Sequence, residues 1–125
     1  MEPLRVFDTV YTHLNRTRFN GELPPLPITT VTGKRYLACL RAVNGAPVEI
    51  MLSIDNIPQH DPGETVAAAI LHEMIHEYCL LHGIPHYNTE TGEHTPEFVQ
   101  EAEKRGLFYD DFLSTNFLLD DFFLQ

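Results

Sequence analysis

The sequence predicts a small α+β domain, on three observations. Two amphipathic or apolar helical patterns bracket three short runs rich in β-branched residues, Gly or Pro punctuates most of the junctions, and the 125 residues suffice for one core only. The whole chain, 1–125, is therefore read as a single domain. Hydrophobic residues make up 43% and charged residues 21%, which excludes a disordered or fibrous chain.

Leu4, Phe7, Val10, Tyr11 and Leu14 recur at three- and four-residue spacing, so residues 3 to 19 read as an amphipathic helix closed by Asn20-Gly21. A proline-rich loop follows at 22–27. Residues 28–32, 36–43 and 48–54 read as three strands of a short, mainly antiparallel sheet, divided by Gly33 and by Asn44-Gly45-Ala46-Pro47. In the third, Val48, Ile50, Leu52 and Ile54 share one face, as a half-buried strand requires. Asp61-Pro62-Gly63-Glu64 has the pattern of a helix start with a capping box, and Gly83 marks the stop, giving a helix to about His82 that is apolar nearly all round and hence central and buried. A polar loop over 84–94 leads to Thr95-Pro96-Glu97, a second cap signature opening a short helix to about Lys104. The remaining residues, 107–125, carry Tyr109, Phe112, Leu113, Phe117, Leu119, Phe122 and Phe123 near helical spacing and read as a terminal helical segment covering the core.

Eight Lys and Arg against 18 Asp and Glu give a formal charge of −10, a field that repels phosphate backbones and anionic lipid, so a nucleic-acid partner is disfavoured. No apolar run approaches a membrane span, and no signal peptide is visible at the start. Cys39 and Cys79 form neither a Cys-x-x-Cys pair nor a disulfide framework, which fits a reducing, cytoplasmic setting.

The central helix contains His72-Glu73-Met74-Ile75-His76, the His-Glu-x-x-His pattern. With 7 His and 11 Glu in the chain, chance yields it roughly 0.03 times. Positions i and i+4 lie about 40° apart and one turn along the axis, so both imidazoles reach one ion. On a helix this apolar, three polar side chains cost several kcal/mol in desolvation unless something satisfies them, and a metal does so. Zinc takes neutral imidazole nitrogens and lowers the pKa of its water towards about 7, while Glu73 is placed to accept the proton as that water attacks a carbonyl.

A catalytic zinc needs a third ligand and an open position. His82, His86, Glu90, Glu93, His94 and Glu97 follow the motif; His82 lies about 9 Å beyond His76 along the axis, too far for the same ion. His94, just ahead of the Thr95-Pro96 helix start, is preferred, with Glu97 or Glu93 as the carboxylate alternatives. Tyr78, His86 and Tyr87 are candidates to steady an oxyanion. Cys79, three residues past His76, is read as a buried inert thiol.

Four ordered blocks, Leu14-Asn-Arg-Thr-Arg-Phe-Asn-Gly-Glu-Leu-Pro24, Glu49-Ile-Met-Leu-Ser53, Ile70-Leu-His-Glu-Met-Ile-His76 and Gly92-Glu-His-Thr-Pro-Glu-Phe98, resemble the SprT-like family, which includes the Spartan proteases. The similarity spans residues 4–106. It implies a small zincin-like fold, with His72, His76 and His94 as ligands of one zinc per chain, Glu73 as general base, and a protein or peptide substrate for a zinc metallopeptidase. Many members continue into a Cys-rich zinc ribbon or a basic DNA-binding segment, neither of which occurs in these residues. The alternatives are a catalytically silent zinc-binding regulatory or interaction module of the same fold, and a DNA-associated processing factor, which the acidity disfavours.

Overall fold

The computed structural model describes residues 4–88, 90–108 and 123–124. The first helix, α1 (Leu4–Arg18), turns Tyr11 and Leu14 into the core, with Phe7 and Val10 packed at its margin. The chain then reverses: the Gly21 N–H bonds the Asn15 carbonyl at 2.8 Å. Asn15 also clamps the proline-rich loop, its amide donating to Leu23 O at 3.0 Å and its oxygen accepting from Leu23 N at 3.1 Å.

Three strands follow, β1 (Ile28–Val31), β2 (Ala38–Val43) and β3 (Ala46–Ser53), in the order β1-β3-β2. Asn44 and Gly45 join β2 to β3 with φ of 53° and 81°, the two positive values that a tight hairpin turn matching the strand twist demands. β2 and β3 are antiparallel, whereas β1 runs parallel to β3, so the sheet is mixed rather than mainly antiparallel. The reason lies in the connection between β1 and β2, which wraps around the end of β3. Asp55 accepts from Gly33 N at 2.9 Å, and the Asn56 amide donates to Lys34 O at 2.9 Å and Tyr36 O at 2.8 Å. These bonds hold the crossing chain outside regular strand, so β2 begins two residues later than the sequence suggests. They also draw Ile54–Asn56 into a 3-10 turn, and Ile54 leaves the alternation with 45% of its surface exposed.

Ile50 and Leu52 of β3 and Leu40 and Ala42 of β2 are fully buried on the sheet face that α2 (Pro62–His82) covers with Ile70, Met74 and Ile75. Full burial of each large side chain stabilises by about 1.5–3 kcal/mol. Pro62 opens α2 as expected, but Asp61 adopts a left-handed conformation and makes no side-chain cap; its carboxylate lies 3.1 Å from His60 instead. The helix ends as expected. Gly83, with φ of 67°, allows Ile84 N to reach back to Cys79 O at 2.9 Å, the six-to-one bond of a glycine-terminated helix.

The last described helix, α3 (Pro96–Lys104), is capped by Thr95, whose hydroxyl accepts from Phe98 N at 3.1 Å. Phe98 and Ala102 are fully buried. The Arg18 guanidinium of α1 bonds the Arg105 carbonyl and ties the end of α3 to the first helix. Of the expected terminal helical segment, residues 109–122 and 125 lie outside the described residues. Phe123–Leu124 is extended, not helical: it forms a short β4 parallel to β2 at Arg41 and Ala42, where the open strand edge offers backbone groups to pair with. No helix among the described residues is long and apolar enough to cross a membrane.

Candidate metal centre

Because α2 is covered by the sheet on one side and by α1 and α3 on others, its polar residues can leave water only in company. His72, Glu73, His76 and Glu77 are all buried. The second element of the site is the segment after Gly83, which folds into a small irregular hairpin. Tyr87 and His94 form an antiparallel bridge, Asn88 N donates to Glu93 O at 2.8 Å, and the Asn88 side chain accepts from Glu90 N and Thr91 N. Thr95 closes it, its hydroxyl donating to Pro85 O at 2.7 Å while capping α3. The hairpin thereby carries His94 back over α2.

His72, His76 and His94 converge. Each offers a nitrogen, and the three nitrogens lie within 4.8 Å of one another, the one such group of metal-ligating side chains among the described residues. Ring centroids are 5.0 Å apart for His72 and His76, 4.9 Å for His72 and His94, and 5.2 Å for His76 and His94. Phe98 forms the apolar floor, stacked on His76 at 4.3 Å and on His94 at 4.6 Å. Burial, then the neighbouring His72, His94 and His86, holds the His76 pKa well below the ordinary histidine value, so its imidazole is neutral and able to donate a lone pair. The donor set fits a cation: three imidazoles above an aromatic floor, with no thiolate among them.

The carboxylate alternatives do not join this group. Glu93 and Glu97 are exposed, the latter in the first turn of α3, where a negative charge meets the helix dipole favourably. Glu90 and His82 are exposed as well. The His82 ring lies tilted against Tyr78 at 4.2 Å, and Tyr78 packs against Phe19 and the Arg105 guanidinium, which places both with the α1 and α3 contacts rather than with the three histidines. Cys79 is fully buried, and its thiol is pushed up to about 12 by burial and then by Glu101, in keeping with an inert core residue. Of the other candidates to steady an oxyanion, Tyr87 lies edge-on to His94 at 6.4 Å, while His86 is engaged with His76, their Nδ1 atoms 2.8 Å apart.

Tyr36 and Phe98 were not singled out by the sequence as parts of the site. Tyr36, just before β2, has its hydroxyl pKa raised by burial first, then by Cys39 and by the Glu73 carboxylate, which puts it within electrostatic reach of Glu73. Phe98 stood in the sequence at the third position after the Thr95 cap, the first place where an α3 side chain can turn inward. Comparisons of this chain with models of known protein families, with curated proteins and with solved structures found no match in any of the three.

Proposed function

We propose that the protein is a zinc metallopeptidase of SprT-like type, with a small zincin-like fold and a protein or peptide substrate. Its main support is the convergence of His72, His76 and His94 on one point with Glu73 buried alongside. Three histidines without cysteine is the donor set of a zinc site that keeps a fourth position open. A zinc ion bound there supplies Lewis acidity, polarising a peptide carbonyl and lowering the pKa of water towards about 7. The three imidazoles hold and orient, and their shared floor, Phe98, keeps the rings from rotating apart. Glu73 accepts the proton of the attacking water and passes it to the amine nitrogen that leaves as the C–N bond breaks. A buried carboxylate next in sequence to the first histidine supplies the base that peptide hydrolysis needs, which favours the peptidase over a silent zinc-binding module.

The test is elemental analysis of purified wild type, His94→Ala and Glu97→Ala, together with hydrolysis of an unstructured protein substrate with and without a chelator. One zinc per chain in wild type and Glu97→Ala, its loss in His94→Ala, and chelator-sensitive cleavage are the expected results. Stoichiometric zinc with no cleavage of any peptide would favour the silent module. Absence of a bound transition metal would refute both.

A further inference from the structure

A fourth histidine takes no part in the proposed chemistry, yet it is buried against the site. His86 comes from the first arm of the hairpin whose second arm carries His94, and its ring lies 5.0 Å from that of His76. The contact is a 2.8 Å bond between two Nδ1 atoms. Two imidazole nitrogens at that separation share one hydrogen: one must donate and the other must accept. With Nδ1 of His76 occupied in this way, Nε2 is the nitrogen left to ligate, and a nitrogen that ligates carries no hydrogen. The neutral His76 ring must then bear its hydrogen on Nδ1 and donate it, so His86 accepts at Nδ1 and keeps its own hydrogen on Nε2. The opposite arrangement, His86 donating, would put a hydrogen on Nε2 of His76 and block it as a ligand.

We propose that His86 is a positioning residue for the metal centre, which, by accepting a hydrogen bond from Nδ1 of His76, fixes that ligand's tautomer and ring plane and so sets the affinity of the site. This rests on the metallopeptidase reading of the three histidines. Outer partners of ligating histidines are usually carboxylates or backbone carbonyls, and their loss costs about 10- to 100-fold in metal affinity. A neutral imidazole in that place orients the ligand without adding negative charge behind it.

The hairpin also makes the contact contingent on its own folding. Thr95 N bonds the His86 carbonyl at 3.4 Å, so the third ligand and the positioning residue are delivered together.

The experiment measures zinc affinity by competition with a chromophoric chelator for wild type, His86→Phe and His86→Asn. Phenylalanine keeps ring volume and removes the acceptor; asparagine places an amide oxygen where Nδ1 stood. The expected result is a loss of about 10- to 100-fold in affinity for His86→Phe, with His86→Asn restored to within a few-fold of wild type. Nitrogen-15 spectra of zinc-loaded wild type should show His76 with its hydrogen on Nδ1 and His86 with its hydrogen on Nε2. Equal affinity in all three proteins, or a zinc-loaded His86 bearing its hydrogen on Nδ1, would overturn the proposal while leaving the metallopeptidase reading intact. Wild type that binds no zinc would overturn both, and a shared loss in His86→Phe and His86→Asn, with unchanged melting of the metal-free proteins, would overturn the acceptor role alone.

Discussion

Glu73 and Glu77 are the same side chain on the same helix, one turn apart and both buried, and they meet different surroundings. Glu73 follows His72 in the chain, and its charge helps raise the Tyr36 hydroxyl pKa. Glu77 faces α1, where the Tyr11 hydroxyl lies 2.9 Å from its Oε1 and 3.0 Å from the Pro24 carbonyl. A single hydroxyl hydrogen serves those two acceptors best if Glu77 is protonated, donating to the Tyr11 oxygen while Tyr11 donates to Pro24. Burial, against the opposing Tyr11 hydrogen bond, indeed pushes Glu77 up to about 7. On the proposed reading one acid serves the chemistry, while the other locks α1 and the proline-rich loop onto α2. Position along a helix does not separate these roles; the element packed opposite does.

The sharpest way to break this comparison is Glu73→Gln. If Glu73 is the general base, peptide hydrolysis falls by about 10²- to 10⁴-fold while zinc content and the denaturation midpoint stay at wild-type values. An unfolded or zinc-free variant would show that Glu73 serves structure as Glu77 does. The converse holds for Glu77→Ala, which strips a buried hydrogen bond and is expected to cost about 1–3 kcal/mol in urea denaturation with kcat/KM of the folded fraction unchanged. A double-mutant cycle with Tyr11→Phe sharpens this, since two groups sharing one bond should give non-additive losses, with a coupling of about 0.5 kcal/mol or more.

A third carboxylate sets the scale at the surface. Glu49, on the sheet face away from α2, accepts from the Thr29 hydroxyl and the Arg41 guanidinium, each at 2.6 Å. The Thr29 bond first, then Arg41, holds its pKa below the ordinary carboxylate value. A depressed folded-state pKa means stability that is complete above the unfolded-state value and is lost as pH falls through the folded one. Glu49→Gln should therefore flatten the acid side of the stability profile by no more than about 1 kcal/mol, the usual worth of an exposed pair, measured by urea denaturation across the acid range.

Much of the site was legible because its signals are local. The spacing of His72 and His76 needs only helix geometry, and Pro62 and Gly83 bound that helix without help from the rest of the fold. His94 was legible because Thr95 and Pro96 announce the start of α3. What escaped depends on pairs distant in sequence. The parallel register of β1 on β3 is set by Asp55 and Asn56 gripping a loop some twenty residues earlier. Glu77 finds its partner on α1, 66 residues away. The bond between His86 and His76 appears only when the segment after Gly83 closes into a hairpin, which its polar composition does not announce. Asp61 shows the reverse case, a cap signature that the chain leaves unused because its backbone turns left-handed there.

The origins of the three imidazoles have a thermodynamic consequence. Two stand on one turn of a helix and the third arrives from a hairpin arm 18 residues further along, so a cation gripping all three is a removable cross-link across that stretch. Mass action would then tie folding to supply: at a free-ion concentration one hundred times the dissociation constant, about 2.7 kcal/mol would be added to the native state. If the proposed site binds its ion, the melting temperature of the chain becomes a gauge of the metal around it.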